Sequence, residues 1–139
     1  MANVIKVKVN QVGKTTSQGV IRSHKVLIDR PLGKGGEDCG PMGGELLLIA
    51  LGGCFNSNLL AAIRSRNASI SNVSICLQGI LEGKPSRFAA IHMNIAADFD
   101  DRTLVEKLLT ISERSCIVAN TLKDVVDLTI SVEKNPTLL

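Results

Sequence analysis

Four cysteines are the residues of this chain that are best suited to chemistry: Cys39, Cys54, Cys76 and Cys116. Their positions do not include the C-x-x-C spacing that is typical of structural zinc sites, and they do not suggest a disulfide framework. An isolated cysteine is either a small core hydrophobe or, where its thiolate form is stabilised, a nucleophile that a peroxide can oxidise. Cys39 lies in a glycine-rich segment and Cys76 at an ordinary strand position, so we interpret both as structural or incidental.

Cys54 directly follows Gly52 and Gly53 inside an apolar segment that is typical of a buried helix. Each interior glycine costs a helix about 1 kcal/mol relative to alanine. The pair therefore indicates that another helix or a small substrate approaches the backbone here. The sequence leaves two interpretations of Cys54 open, a packing residue and a reactive thiol.

Cys116 lies near the start of a predicted short helix, where free N–H groups and the helix dipole favour a thiolate. Cys54 and Cys116 would form a peroxidatic and resolving pair if they came within disulfide range. In such a pair one thiolate attacks the O–O bond to give a sulfenic acid, with which the second thiol condenses. Their distance in space does not follow from their spacing in sequence.

The elements that must position these thiols are predicted from the hydrophobic periodicity. A chain of 139 residues favours a single domain, which we assign to residues 1–139. The predicted order is β-β-α-β-β-α-α-β, an α+β fold with a long buried central helix. Its elements are strands at 3–10 and 20–28, an irregular segment at 29–44, a helix at 45–66, strands at 70–81 and 87–97, a helix at 101–114 with Asp100 or Asp101 as N-cap, a short helix through Lys123, and a strand at 125–133.

Composition argues against several classes of partner. Aromatic residues make up 2% of the chain and the net charge is +3, with the basic residues dispersed, so we expect no nucleic-acid binding. Asn56, Ser57 and Asn58 interrupt the apolar run before the roughly 20 residues that a bilayer requires, so we expect no membrane span. The first residues lack the pattern of a signal peptide, which favours a cytoplasmic location. His24 and His92 have no second ligand at metal-binding spacing, and we expect a satisfied or solvent-facing role for each.

Two motifs resemble those of the OsmC/Ohr family. Residues 35–54, GGEDCGPMGGELLLIALGGC, are similar to the Gly-Pro loop of that family and its E-L-L-L-x-A-L-G-G-C helix, in the form found in a divergent branch. Residues 116–122, CIVANTL, resemble its second motif, usually C-P-V-S-N-x-L, with Ile117 where the family favours proline. The predicted order of elements fits the family over nearly the whole chain.

The resemblance implies an intertwined homodimer in which strands of two chains form shared sheets around paired central helices. It also implies a thiol-dependent peroxidase that reduces organic hydroperoxides, with Cys54 as the peroxidatic and Cys116 as the resolving cysteine. An external dithiol or thiol would regenerate both residues, and neither a metal nor an organic cofactor is implied. The alternative is a non-enzymatic stress protein that binds a small molecule on the same fold and uses its cysteines for packing.

The resemblance also indicates three further site residues, each at a position that departs from the family pattern. The family holds its thiolate with an arginine at the start of the second strand, where the nearest residue here is Lys14. Arg22, midway along the predicted second strand, is the fallback. The position of the family's glutamate holds Gly44 here, and the next residue is Glu45. On an ideal helix Glu45 lies opposite Cys54, so it would reach the thiol only from non-helical backbone or from the other subunit.

Overall fold

The computed structural model describes residues 2–137, whose six strands and three α-helices confirm the α+β class. The chain divides into two compact units, one up to Leu47 and one from Leu48 onward, and each is described by itself. Met1, Leu138 and Leu139 lie outside the described residues, as do the ends of the predicted domain that fall on them. The assignment of residues 1–139 to a single domain stays a prediction.

The first unit contains a three-stranded antiparallel sheet in the order β1-β2-β3. Its strands are β1 (Lys8–Gln11), β2 (Ser17–Ile21) and β3 (His24–Ile28). The predicted order was wrong by one strand here, because the single strand predicted at 20–28 is split by a tight turn in which Arg22 has φ 52°. The Arg-Ser sequence of that turn lacks the Asn-Gly or Asp-Gly signal of a two-residue hairpin. The first strand is also shorter than predicted, since its pairing with β2 begins only at Lys8.

Asp29 anchors the irregular segment that follows β3. Its side chain is only 3% exposed. The carboxylate accepts hydrogen bonds from the Thr16 hydroxyl at 2.8 Å, the Arg30 N–H at 2.7 Å and the Cys39 N–H at 3.2 Å. Burial alone would raise the pKa of Asp29, but these bonds outweigh it and hold the pKa well below its usual range. One ionised side chain thus ties together both ends of the loop and the preceding hairpin.

Two glycines of this segment lie where no side chain fits. A Cβ on Gly36 would lie 2.0 Å from the carbonyl oxygen of Arg30, and one on Gly40 would lie 2.4 Å from that of Leu27. Both contacts are with backbone, which cannot move aside cheaply. Close packing of the loop against the backbone of Arg30 and Leu27 therefore accounts for these two glycines.

The remaining elements agree with the prediction to within a few residues. Helix α1 begins in the first unit and ends in the second, in which β4 and β5 form an antiparallel hairpin and β6 pairs in parallel with β5. The N-cap of α2 is Asp101, whose Oδ1 accepts the Leu104 N–H at 3.0 Å. The bounds are α1 (Gly43–Ser65), β4 (Ile70–Glu82), β5 (Arg87–Phe99), α2 (Arg102–Ser115), α3 (Ile117–Leu122) and β6 (Asp127–Lys134).

The core of the second unit lies between one face of the β4-β5-β6 sheet and the helices. Alternate residues of β5 are buried there, together with one face each of α1 and α2. By length and composition alone α1 could cross a membrane, since its mean hydropathy reaches 1.9, so the sequence argument from helix length was not decisive. Because one face of α1 packs in the core of the second unit, burial within the protein also explains why that face is apolar. The core residues include Leu51, Phe55, Leu59, Ile91, Met93, Ile95, Val105, Leu108 and Cys116.

Candidate functional site

Cys54 and Cys116 are neighbours in the second unit. Cys54 projects from α1 and is partly exposed, whereas Cys116 lies between α2 and α3 in extended backbone and is the N-cap of α3. The Cys116 thiol donates a hydrogen bond to the Cys54 sulfur. Both cysteines are free thiols in the structure. Packing of the α2–α3 junction against α1 thus brings together two thiols that lie far apart in the sequence.

The surroundings of Cys54 favour its thiolate. Partial burial raises the pKa of Cys54, but hydrogen bonds from the Val118 N–H, the Cys116 thiol and the Ile117 N–H outweigh burial and lower the pKa below the usual cysteine value. All three donors point at one sulfur atom. The thiolate is the nucleophilic form of cysteine, so this geometry activates Cys54.

Cys116 has the opposite character. Its side chain is 0% exposed, and burial raises the pKa of its thiol. The Ala119 N–H, which donates to its sulfur at 3.4 Å, lowers the pKa, while the hydrogen bond to Cys54 and the negative charge on Cys54 raise it further. Of the two thiols, Cys116 therefore holds its proton more strongly and Cys54 loses its proton more easily.

This result corrects one expectation from the sequence. The N–H groups at the start of α3 were expected to favour a thiolate at Cys116, but those of Ile117 and Val118 donate to Cys54. Sequence reasoning named Ile117 only as a departure from the family motif and identified neither residue as a donor, because every residue except proline carries a backbone N–H. The predicted position of Cys116 at a helix start was the available signal, and it left open which sulfur the donors face.

The two glycines before Cys54 differ in their surroundings. A Cβ on Gly52 would lie 2.6 Å from Cδ1 of Leu77, so at Gly52 the group that approaches the helix is a side chain of β4. A Cβ on Gly53 would meet no described atom within 4 Å. Gly53 lines an open groove of about 320 Å³ together with Ile49, Gly52, Asn56, Ile75 and Leu77.

The family model for OsmC-like protein matches residues 33–131, a range that includes both cysteines of the pair and most of the chain. The chain belongs to the OsmC-like family. The family resemblance inferred from the two cysteine motifs is therefore confirmed.

Solved structures show that this OsmC-like protein shares its fold with bacterial proteins of low sequence identity. A hypothetical protein from Aquifex aeolicus VF5 matches with a TM-score of 0.82 at 20% identity, over 96% of this chain and 98% of the other. An OsmC-like protein from Mycoplasma pneumoniae gives 0.80 at 16%, over 97% and 98%. The organic hydroperoxide resistance protein OhrB of Bacillus subtilis gives 0.69 at 16%, over 94% and 98%. No curated protein matches the OsmC-like protein in sequence.

Lys14, Arg22 and Glu45, the other predicted site residues of the OsmC-like protein, all lie in the first unit. Lys14 is exposed in the turn that precedes β2. Arg22 is exposed in the turn between β2 and β3 and not midway along a strand, which corrects its predicted position. Their roles in the chemistry of Cys54 stay predictions.

Glu45 has a structural partner of its own. Its Oε1 accepts the N–H of Met42 at 2.9 Å, the reach-back contact of a capping box at the start of α1. The backbone of Glu45 is helical, which removes the non-helical route to a thiol that the sequence left open. A catalytic role for Glu45 would have to coexist with this cap.

The remaining histidine and cysteine side chains are not assigned a role at the cysteine pair. His92 is satisfied as predicted, with Nδ1 2.6 Å from Thr129 Oγ1 and Nε2 3.0 Å from Ser131 Oγ. Cys39 and Cys76 are exposed thiols. Within residues 2–137 the histidine, cysteine, aspartate and glutamate side chains do not form a group of three that could hold a metal ion.

Proposed function

We propose that this OsmC-like protein is a cytoplasmic, thiol-dependent peroxidase that reduces organic hydroperoxides in oxidative-stress defence. Cys54 is the peroxidatic nucleophile and Cys116 resolves it. The observation that carries the proposal is the convergence of the Ile117 N–H, the Val118 N–H and the Cys116 thiol on the Cys54 sulfur. The name of the Bacillus subtilis relative, an organic hydroperoxide resistance protein, supports the choice of substrate class.

The proposed reaction has two steps. The Cys54 thiolate attacks the outer oxygen of the hydroperoxide, the O–O bond breaks, and the alkoxide leaves as an alcohol after taking a proton from solvent. The Cys116 sulfur then attacks the resulting sulfenic acid, and the hydroxyl group leaves with the thiol proton as water. The products are one alcohol, one water and a Cys54–Cys116 disulfide, which a dithiol or thiol reduces.

The two sulfurs suit these roles because they differ. A cysteine nucleophile reacts as its thiolate, and the lowered pKa of Cys54 favours that form. A resolving thiol must reach the sulfenic acid before a second peroxide does, and Cys116 already contacts the Cys54 sulfur. Charged groups on Lys14, Arg22 and Glu45 are the further contributors that the family resemblance implies.

We also propose that the protein acts as a homodimer. Ile49 and Leu60 are 59% and 49% exposed on α1, although the helix is strongly apolar. Together with Gly53 they form one strip, because their spacings of four and seven residues keep them on the same side of a helix. Gly53 leaves room for a close approach. A second copy of α1 is a partner of matching apolar character and would cover this strip.

The test is a peptide map under non-reducing conditions, before and after one equivalent of cumene hydroperoxide. Cys39 and Cys54 fall in the same tryptic peptide, between Lys34 and Arg64, so the protein carries Cys39→Ser and Cys76→Ser. The expected result is rapid formation of a Cys54–Cys116 disulfide.

The control variants are Cys54→Ser and Cys116→Ser. Both should lack the disulfide, and a sulfenic acid should be trapped at Cys54 in the second. Thiols that stay reduced after prolonged exposure to peroxide would rule out the peroxidase. A small-molecule-binding role on the same fold would then be the better explanation.

A further inference from the structure

The two sulfurs of the cysteine pair differ sharply in access. Cys116 is 0% exposed and belongs to the buried cluster of the second unit, whereas Cys54 is partly exposed. The order of attack during reduction depends on this difference, because thiol–disulfide exchange requires a thiolate to reach one particular sulfur. From the proposed function it follows that a disulfide between them must be opened in every catalytic cycle.

We infer that the thiol that regenerates this protein attacks the sulfur of Cys54 and expels Cys116. Exchange proceeds through a nearly linear arrangement of the attacking, central and leaving sulfurs. Attack on Cys116 would therefore have to come from the side away from Cys54, and Cys116 is fully buried in a cluster that also contains Leu108 and Ala119. Attack on Cys54 comes from the side away from Cys116, and Cys54 is the partly exposed residue of the pair.

The leaving sulfur has a donor in place. As the reductant's sulfur bonds to Cys54, the disulfide bond breaks and Cys116 takes the electron pair as a thiolate. The Ala119 N–H, which lies 3.4 Å from that sulfur, stabilises the new charge until the thiolate takes a proton. A second thiol of the reductant then attacks the reductant's own sulfur in the mixed disulfide, which releases Cys54 and an oxidised dithiol.

The test starts from protein oxidised with diamide, so that it does not depend on peroxide turnover. Full-length protein with Cys39→Ser and Cys76→Ser is oxidised, exposed briefly to 2-mercaptoethanol, quenched with acid and alkylated with N-ethylmaleimide. The peptide map should show mercaptoethanol on Cys54 and maleimide on Cys116, in at least tenfold excess over the reverse pattern. Equal labelling, the reverse pattern, or failure of diamide to form the disulfide would overturn the inference.

After the first attack, the freed cysteine could attack the mixed disulfide again and move the mercaptoethanol label. A second measurement avoids this by testing each cysteine without the other. In the same background, Cys116→Ser and Cys54→Ser are each converted to the thionitrobenzoate mixed disulfide, under denaturing conditions followed by refolding where necessary. Dithiothreitol should release thionitrobenzoate from Cys54 at least ten times faster than from Cys116, with equal rates in 6 M urea. Equal rates in the folded proteins would contradict the inference.

The experiments distinguish failure of this inference from failure of the proposed peroxidase function. If cumene hydroperoxide leaves the thiols reduced while the diamide-made disulfide opens at Cys54, the peroxidase is ruled out and the direction of attack is supported. If peroxide forms the disulfide but reduction begins at Cys116, the peroxidase stands and this inference fails.

Discussion

The side chain of Cys116 both caps a helix and contacts Cys54. Its sulfur accepts the Ala119 N–H at the start of α3, and its thiol donates to the sulfur of Cys54. The start of α3 and the charge state of Cys54 are therefore linked through one residue. A change at position 116 should alter both.

The first prediction concerns the thiolate of Cys54. Cys116→Ala removes one donor and should raise the pKa of Cys54, whereas Cys116→Ser keeps a hydroxyl donor and should raise it less. The measurement is the rate of iodoacetamide alkylation of Cys54 against pH, with Cys39 and Cys76 replaced by serine. The parent protein should reach half-maximal rate below the value of about pH 8.5 that is expected of a free cysteine. Identical profiles for all three proteins would show that the Cys116 contact does not stabilise the thiolate.

The second prediction concerns the exposed strip on α1. Ile49→Lys combined with Leu60→Lys should convert the proposed dimer into a monomer, because each copy would bury two unpaired positive charges at the interface. Sedimentation equilibrium should give the 14.8 kDa chain mass for the variant and twice that mass for the parent. Thr110→Lys, an exposed position on α2, is the matched control and should stay dimeric. A monomeric parent protein would refute the proposal.

The third prediction separates two roles of Glu45. Glu45→Ala removes the cap on the Met42 N–H and should lower the free energy of unfolding by about 1 kcal/mol, as for other helix N-terminal caps. Glu45→Gln keeps an acceptor and should be nearly as stable as the parent, as measured by urea unfolding. If the carboxylate also acts in catalysis, peroxide turnover should fall in Glu45→Gln. Turnover equal to that of the parent would leave Glu45 with the cap alone.

The fourth prediction uses two adjacent aspartates. Asp101→Ala should destabilise the protein by about 1 kcal/mol, because Asp101 is the N-cap of α2. Asp100→Ala is the control and should change stability little, since its ion pair with Lys134 is long, at 3.9 Å, and exposed. Urea unfolding at pH 7 measures both, and equal effects of the two substitutions would contradict the assignment of the cap.

The fifth prediction concerns acid sensitivity. The pKa of Asp29 is lower in the folded protein than in the unfolded chain, so the unfolded chain binds a proton first as pH falls below about 4. The stability that Asp29 contributes is therefore present above that pH and is lost below it. Asp29→Asn should be less stable than the parent at pH 7, and the difference should shrink toward pH 3. Thermal unfolding between pH 7 and pH 3 measures this difference in stability. A difference that stays constant with pH would disprove the contribution of the Asp29 carboxylate.

The sequence predicts best where the periodicity extends over many residues. Helix α1 and the β4–β5 hairpin fall where expected because each carries a long apolar pattern that only one period fits. The split at Arg22 could not be predicted, since a two-residue turn of ordinary residues has no local signal. Which of the two thiols has the lower pKa depends on the directions in which the Cys54 side chain and the Ile117 N–H point. Tertiary packing sets those directions, so the sequence alone does not predict them.

The parallel pairing of β6 with β5 has a consequence for how the protein is made. Cys116 lies in the crossover between these strands, so the contact with Cys54 can form only after a long loop of chain has closed. Contacts of high sequence separation form slowly. During synthesis and refolding, Cys54 therefore spends its earliest moments without its resolving partner, on an apolar helix that is not yet covered. Oxidants that reach the nascent chain in that interval would meet the Cys54 thiol before Cys116 can form a disulfide with it.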